Sequence, residues 1–261
     1  MILATFRSTL YMLLQILITP PYALITLACF PLSPHNRYRV TSSWTMIMLF
    51  LLRNLCGIRY QIIGSENIPR TPSIILSKHQ SAWEPLAFQK IFPPQVWVLK
   101  KELLRIPFFG WGLAMTSPIA IDRKSGKKAL EQIVEQGKDR LQQGFWIVVF
   151  PEGTRIPPGQ IGKFSRGGAA LAVNAGLPVL PIAHNAGEFW PKQGWAKYPG
   201  TIQVVIGPVM HAEGEGPRAI AEGHHGDDRG HADDDAEGRE AGAETVAAER
   251  LPGDLAADGE E

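Results

Sequence analysis

From Ser8 to Pro34 the chain runs for 27 residues without a charged side chain, more than the roughly 20 that cross the hydrocarbon core of a bilayer. Such a stretch must enter a membrane or be covered by a domain. No short apolar block followed by an Ala-x-Ala-like site marks it as a cleaved signal peptide. Pro20 and Pro21 fall near its middle, where the missing N–H donors break or kink a helix. The segment therefore reads as one kinked span, or as two short helices within one leaflet. Arg37, Arg39, Arg53 and Arg59 follow it and only Arg7 precedes it, a bias that places the body of a spanning chain in the cytoplasm. A second apolar stretch, Trp44 to Leu52, is too short to span and suits an interfacial or core helix. Residues 1–56 are thus expected to form an N-terminal membrane-associated helical segment. Cys29 and Cys56 lie in apolar context and read as reduced thiols; two cysteines exclude a disulfide scaffold and any four-thiolate site.

From about residue 60 the pattern changes to alternating strands and helices. Ser73–Ser77, Val96–Leu99, Ile119–Ile121, Phe145–Phe150, Val179–Ile182 and Thr201–Ile206 are apolar runs of strand length. The run at 145–150 is almost wholly apolar, as in a strand covered on both faces. Between them, Leu130, Ile133, Val134, Gly137 and Leu141 recur at helical spacing over Lys127–Gln143, and a small-residue helix, Ala169–Ala175, closes at Gly176. This alternation predicts an α/β fold, a mixed sheet flanked by helices, over residues 57–210.

Net charge divides the chain. Residues 211–261 hold 16 acidic residues against four Arg, a net of −12, and residues 1–210 hold 22 basic against nine acidic, a net of +13; together they give the chain's +1. The body is built for anionic partners. The tail, residues 211–261, is rich in Ala and Gly with four sizeable apolar side chains, too few to offset its ordering entropy, and is expected to be disordered.

Three strand ends carry the chemistry. The first is Ser77-Lys-His-Gln-Ser-Ala-Trp-Glu84. A His followed five residues later by a carboxylate, across a strand-to-helix turn, can set the carboxylate against one imidazole nitrogen and leave the other to take a proton from a hydroxyl. The same spacing makes Ser81-Ala-Trp-Glu84 a capping box, in which Glu84 only caps a helix. The second is Phe150-Pro-Glu-Gly-Thr-Arg155: Gly153 lets backbone N–H groups approach an anion, Thr154 adds a hydroxyl and Arg155 a bidentate fork. The alternative is an ordinary strand-ending turn in which Glu152 pairs with Arg155. The third, Ile121-Asp-Arg123, puts another Arg just past a strand.

Taken in order, His79-x4-Glu84, Ile121-Asp-Arg123, Phe150-Pro-Glu-Gly-Thr-Arg155 and Pro178-Val-Leu-Pro-Ile182 resemble the four sequence blocks of the glycerolipid acyltransferase family, over roughly residues 40–210. The likeness is greatest to the bacterial branch that acylates lysophosphatidate. It implies acyl transfer from an acyl carrier protein or coenzyme A thioester, a cosubstrate rather than a cofactor, to a lysophospholipid hydroxyl at the cytoplasmic face of the inner membrane, with no metal. It also implies that His79 is the general base, that Glu84 orients and charges it, and that Arg123, Glu152, Gly153, Thr154 and Arg155 hold the substrate phosphate. Glu84 departs from the family's aspartate at this place, one methylene longer. Membrane lipids are implied partners.

Other readings are an acyltransferase for another lysolipid or for glycerol 3-phosphate, and a membrane-anchored lipid-binding protein without catalysis, against which His79, Glu84 and Arg155 argue. A serine hydrolase would need Gly-x-Ser-x-Gly, which Ser165 in Lys-Phe-Ser-Arg-Gly-Gly does not supply. The basic body alone would suit nucleic acid, but no matching module accompanies it. Lys101–Trp111 mixes cations with aromatics and suits either the membrane interface or a packed loop over the sheet. The tail matches nothing in the family, which leads to the hypothesis that residues from about 212 are translated out of frame in place of a C-terminal helix. Resequencing that found one intact frame, with the same tail in close relatives, would overturn it.

Overall fold

The computed structural model describes residues 2–122, 125–160 and 162–211. Arg123 and the acidic tail beyond His211 lie outside them, so the phosphate-binding role expected of Arg123 and the disorder expected of the tail are not addressed by the structure.

Seven strands form one mixed sheet: β1 (Ile58–Ile63), β2 (Ile74–Ser77), β3 (Gln95–Lys100), β4 (Ile119–Ile121), β5 (Trp146–Val149), β6 (Val179–His184) and β7 (Gly200–Ile206). Their order is β1-β7-β6-β2-β5-β3-β4. The five strands from β6 to β4 are mutually parallel. β7 pairs antiparallel with β6 and carries β1 parallel beside it. All six strands expected from apolar runs are present; β1, an alternating edge strand, is the addition.

Period-2 alternation sends successive side chains to opposite faces, and here each face has its own core. Ile75, Trp97, Val148 and Leu180 join helices α1 (Ile2–Ala28), α2 (Pro34–Leu51) and α3 (Glu84–Ile91) in one. Ile74, Val96, Ile147 and Val179 join α5 (Lys127–Gln142) and α6 (Gly167–Ala175) in the other. Burial on both sides is why β5 is apolar at all four positions. Between α5 and α6 a Cβ at Gly137 would sit 2.7 Å from the Leu171 side chain, so glycine permits that close approach. Two short helices, α4 (Phe109–Ala114) and α7 (Ala186–Phe189), complete the set.

The N-terminal segment is not broken at the prolines: α1 is a single helix through Pro20 and Pro21. One face, with Ser8, Tyr11, Ala23 and Thr26, is buried, and the other exposes Leu3, Phe6, Leu10, Leu13, Leu17 and Leu24. The buried face is pinned to the sheet domain. Ser8 Oγ accepts the Lys197 backbone N–H at 2.7 Å, and Trp195 Nε1 donates to Thr9 Oγ1 at 2.8 Å. The Lys197 ammonium lies 4.7 Å from the Trp190 ring and 5.0 Å from that of Tyr11. Helix α1 is long and apolar enough to cross a membrane, yet Tyr11, Met48, Leu52 and Cys56 share a core with the sheet. Residues Lys101–Arg105 form a 3-10 turn leading into α4, and α4 packs on α1 with Leu103, Ile106, Phe109 and Trp111 partly exposed. The stretch is therefore packed on α1 rather than a loop over the sheet.

Candidate active site

Parallel strands deliver their C-terminal ends to one edge of the sheet, where α/β proteins build their sites. Because β2 lies between β6 and β5, three loops meet there: Lys78–Trp83 after β2, Phe150–Arg155 after β5, and Asn185 after β6.

His79 is held through backbone and ring. Its N–H donates to Glu152 Oε2 at 2.8 Å, and its carbonyl accepts the Ile156 N–H at 2.7 Å. The Phe-Pro-Glu-Gly-Thr-Arg loop thus grips the histidine's main chain on both sides. Its ring stacks on Phe150, centroids 4.0 Å apart at 13°. Nδ1 is buried and faces Glu84 Oε2 at 3.5 Å; the opposite nitrogen, Nε2, is left for the cavity that His79 lines.

Glu84 is fully buried at the start of α3. Its Oε1 accepts the N–H groups of Gln80 at 2.8 Å and Ser81 at 2.7 Å, while Oε2 faces His79. Capping and imidazole orientation are therefore not alternatives: the two oxygens divide the two roles. Burial alone would push this carboxyl up; the imidazole of His184, then that of His79, and the Gln80 N–H outweigh it and hold it below the ordinary glutamate value. Glu84 is thus held as a carboxylate facing His79.

Arg155, Thr154 and Gly153 line the same cavity as His79. Gly153 has φ +66°, a left-handed conformation glycine adopts without strain. Glu152 is placed differently from the expectation. It turns its carboxylate to the His79 N–H and away from the cavity that the other three residues line, and an acceptor-only anion would repel a phosphate. Burial raises its pKa, against the lowering effect of that His79 N–H and of Lys78. In this structure the Glu152 carboxylate braces the His79 main chain. Lys192, which no sequence motif marks, donates to the Arg155 carbonyl at 3.0 Å and reaches Thr154 Oγ1 at 3.4 Å, and with Lys100 it adds to the cations lining the cavity. Among the described residues no cluster suited to a metal ion occurs.

The cavity measures about 830 Å3. It is lined by His79 and Arg155 and by side chains of α1, α2 and α4 among others, Met12, Trp44, Leu86, Leu103 and Leu113 included. A carboxylate-backed imidazole and cations thus line one largely apolar cavity, an arrangement able to activate a hydroxyl on an anionic amphiphile.

A family model described as Acyltransferase matches residues 59–185. The 1-acyl-sn-glycerol-3-phosphate acyltransferase of Pseudomonas aeruginosa is 64% identical over 194 residues, 74% of this chain and 76% of its own length. The human 1-acyl-sn-glycerol-3-phosphate acyltransferase alpha is 33% identical over 174 residues, 66% of this chain and 62% of its own. The crystal structure of the 1-acyl-sn-glycerophosphate (LPA) acyltransferase PlsC from Thermotoga maritima superposes with a TM-score of 0.63 at 22% identity, covering 84% of this chain and 92% of that one, which establishes the shared fold. The chain belongs to the glycerolipid acyltransferase family.

Proposed function

We propose that the protein transfers a fatty acyl group from an acyl thioester to the sn-2 hydroxyl of 1-acyl-sn-glycerol 3-phosphate, forming phosphatidic acid. The observation that carries this reading is one cavity lined both by His79, Arg155 and Lys192 and by apolar side chains of α1, α2 and α4. A lysophosphatidate supplies a hydroxyl, an anionic phosphate and a long chain to match these three features.

Nε2 of His79 removes the hydroxyl proton as the oxygen attacks the thioester carbonyl, and Glu84 stabilises the imidazolium that forms. Collapse of the tetrahedral intermediate breaks the carbon–sulfur bond, and the departing thiolate takes the proton back from His79. Such base catalysis contributes on the order of 10²–10⁴-fold. Arg155, Thr154 and Lys192 hold the phosphate; Arg123 is proposed to assist. The thioester, on coenzyme A or acyl carrier protein, is the cosubstrate, and the chemistry needs no metal or further cofactor.

The exposed apolar face of α1 seats the protein in the cytoplasmic leaflet of the inner membrane, with the basic body drawn to anionic headgroups. A bilayer-resident acceptor then reaches His79 through the channel without crossing water. The test is an assay of membranes expressing the protein, offered one acyl thioester with either lysophosphatidate or neutral monoacylglycerol. Phosphatidic acid from the first and little diacylglycerol from the second is the expected result. Equal use of both acceptors, or of neither, would overturn the reading.

A further inference from the structure

His184 closes β6 with a side chain that is completely buried, and nothing in the mechanism above uses it. It faces the acid–base pair from behind. Its Nε2 lies 2.9 Å from the Lys78 carbonyl and 3.4 Å from Glu84 Oε1. Its Nδ1 accepts the Ala186 N–H at 3.3 Å, which leaves Nε2 as the nitrogen that carries the proton, a tautomer assigned from these bonds. The ring is walled by Trp83 at 6.4 Å and Phe88 at 6.3 Å between centroids. From the same region the Gly187 N–H donates to Gln80 Oε1 at 3.1 Å, tying the β6–α7 turn to the residue that follows His79.

We infer that His184 is a positioning residue for this reaction: its Nε2–H, shared between the Lys78 carbonyl and Glu84 Oε1, fixes the carboxylate so that Oε2 points at His79. Glu84 thereby bridges two imidazoles, one chemical and one supporting. Without His184, the Gln80 and Ser81 N–H groups would still hold Oε1, but the carboxylate would lose its third donor in a site where burial favours the neutral acid. The charged and titratable groups facing this centre are His79 and Lys78 from the loop after β2, Glu84 from α3, Glu152 from the loop after β5, and His184 itself from β6.

The direction of the pH effect follows. The active form has neutral His79 and ionised Glu84. Removing a donor to Glu84 destabilises every state in which Glu84 is charged and spares the state in which it is protonated. Protonation of the pair becomes easier, so the acid limb of kcat/KM moves to higher pH.

The inference rests on the proposed base role of His79 and is tested with H184F, which fills the space, and H184Q, whose amide can donate to both oxygens and accept the Ala186 N–H. In H184F, kcat is expected to fall by about tenfold to a hundredfold, part of what a general base supplies, with KM for lysophosphatidate unchanged and the acid limb raised. H184Q is expected to recover most of both. Ring NMR of His79 in histidine-labelled protein should shift in H184F and return toward wild type in H184Q, a readout independent of the acceptor. An acid limb and His79 resonances unmoved in H184F would overturn the inference, even if kcat or thermal stability fell, because a merely structural role predicts that outcome. Absence of wild-type acylation would instead count against the proposed function, and the NMR result would still decide for or against His184.

Discussion

Replacing Glu84 by Gln removes one charge and keeps the shape of the site. The amide oxygen can still accept the Gln80 and Ser81 N–H groups, so the start of α3 stays capped. What changes is the face toward His79. A carboxylate accepts a hydrogen bond from Nδ1–H; an amide NH2 donates to Nδ1 instead, forcing the ring's proton onto Nε2, where the substrate hydroxyl must deliver its own. The electrostatic loss can be sized. At 3.5 Å and an effective dielectric constant of about 20, a full ion pair is worth about 5 kcal/mol. At about 1.4 kcal/mol per decade that is roughly three decades of rate, within the 10²–10⁴-fold that a general base contributes. E84Q should therefore lower kcat about a thousandfold. Its KM for lysophosphatidate should not move, because Glu84 does not line the cavity. The assay is steady-state acyl transfer in detergent, with circular dichroism to show that the fold survives. A folded E84Q within a few-fold of wild type would refute the coupling of Glu84 to His79.

Arg155→Ala should raise KM for lysophosphatidate by about tenfold or more, the value of a charge-assisted hydrogen bond, and leave any slow transfer to monoacylglycerol unchanged. Lys192→Met should act in the same direction but less, since Lys192 is exposed and screened. Glu152→Ala should lower kcat without raising that KM, and Glu152→Gln, which keeps an acceptor for the His79 N–H, should be nearly silent; a raised KM in either would return Glu152 to the phosphate. Glu84, held below its ordinary value, contributes stability that is complete above the unfolded glutamate pKa of about 4.3 and is lost as pH falls through the lower folded value. Melting curves of wild type should accordingly lose stability on acidification in that range, and E84Q should lose less. On the exposed face of α1, the double variant L13E/L17E should release protein from membranes into the soluble fraction without reducing its activity in detergent, because neither residue lines the cavity.

The strands were legible because burial on both faces leaves an unbroken apolar signature, as in Trp146–Val149. β1 escaped notice because its alternation of Ile58, Tyr60 and Ile62 with Arg59 and Gln61 belongs to an edge strand packed on one face. Helices α3 and α4 are short, at eight and six residues, too brief for helical periodicity to emerge. Within the site, His79 and Glu84 were readable because their pairing is local. The contact between Glu152 and the His79 N–H was not readable, because the two lie 73 residues apart in the chain. His184 and Lys192 carry no local signal. His184 meets Glu84 only because β6 lies beside β2 in the sheet, and strand order is the non-local information that periodicity does not contain.

Whether His79 deprotonates the acceptor hydroxyl is read from the rate of purified His79→Ala with saturating lysophosphatidate and acyl thioester. Phosphatidic acid formation should fall by about 10²–10⁴-fold, while KM for lysophosphatidate, set by Arg155 and Lys192, stays near that of wild type. A folded His79→Ala that retains a substantial fraction of wild-type kcat would contradict deprotonation by His79.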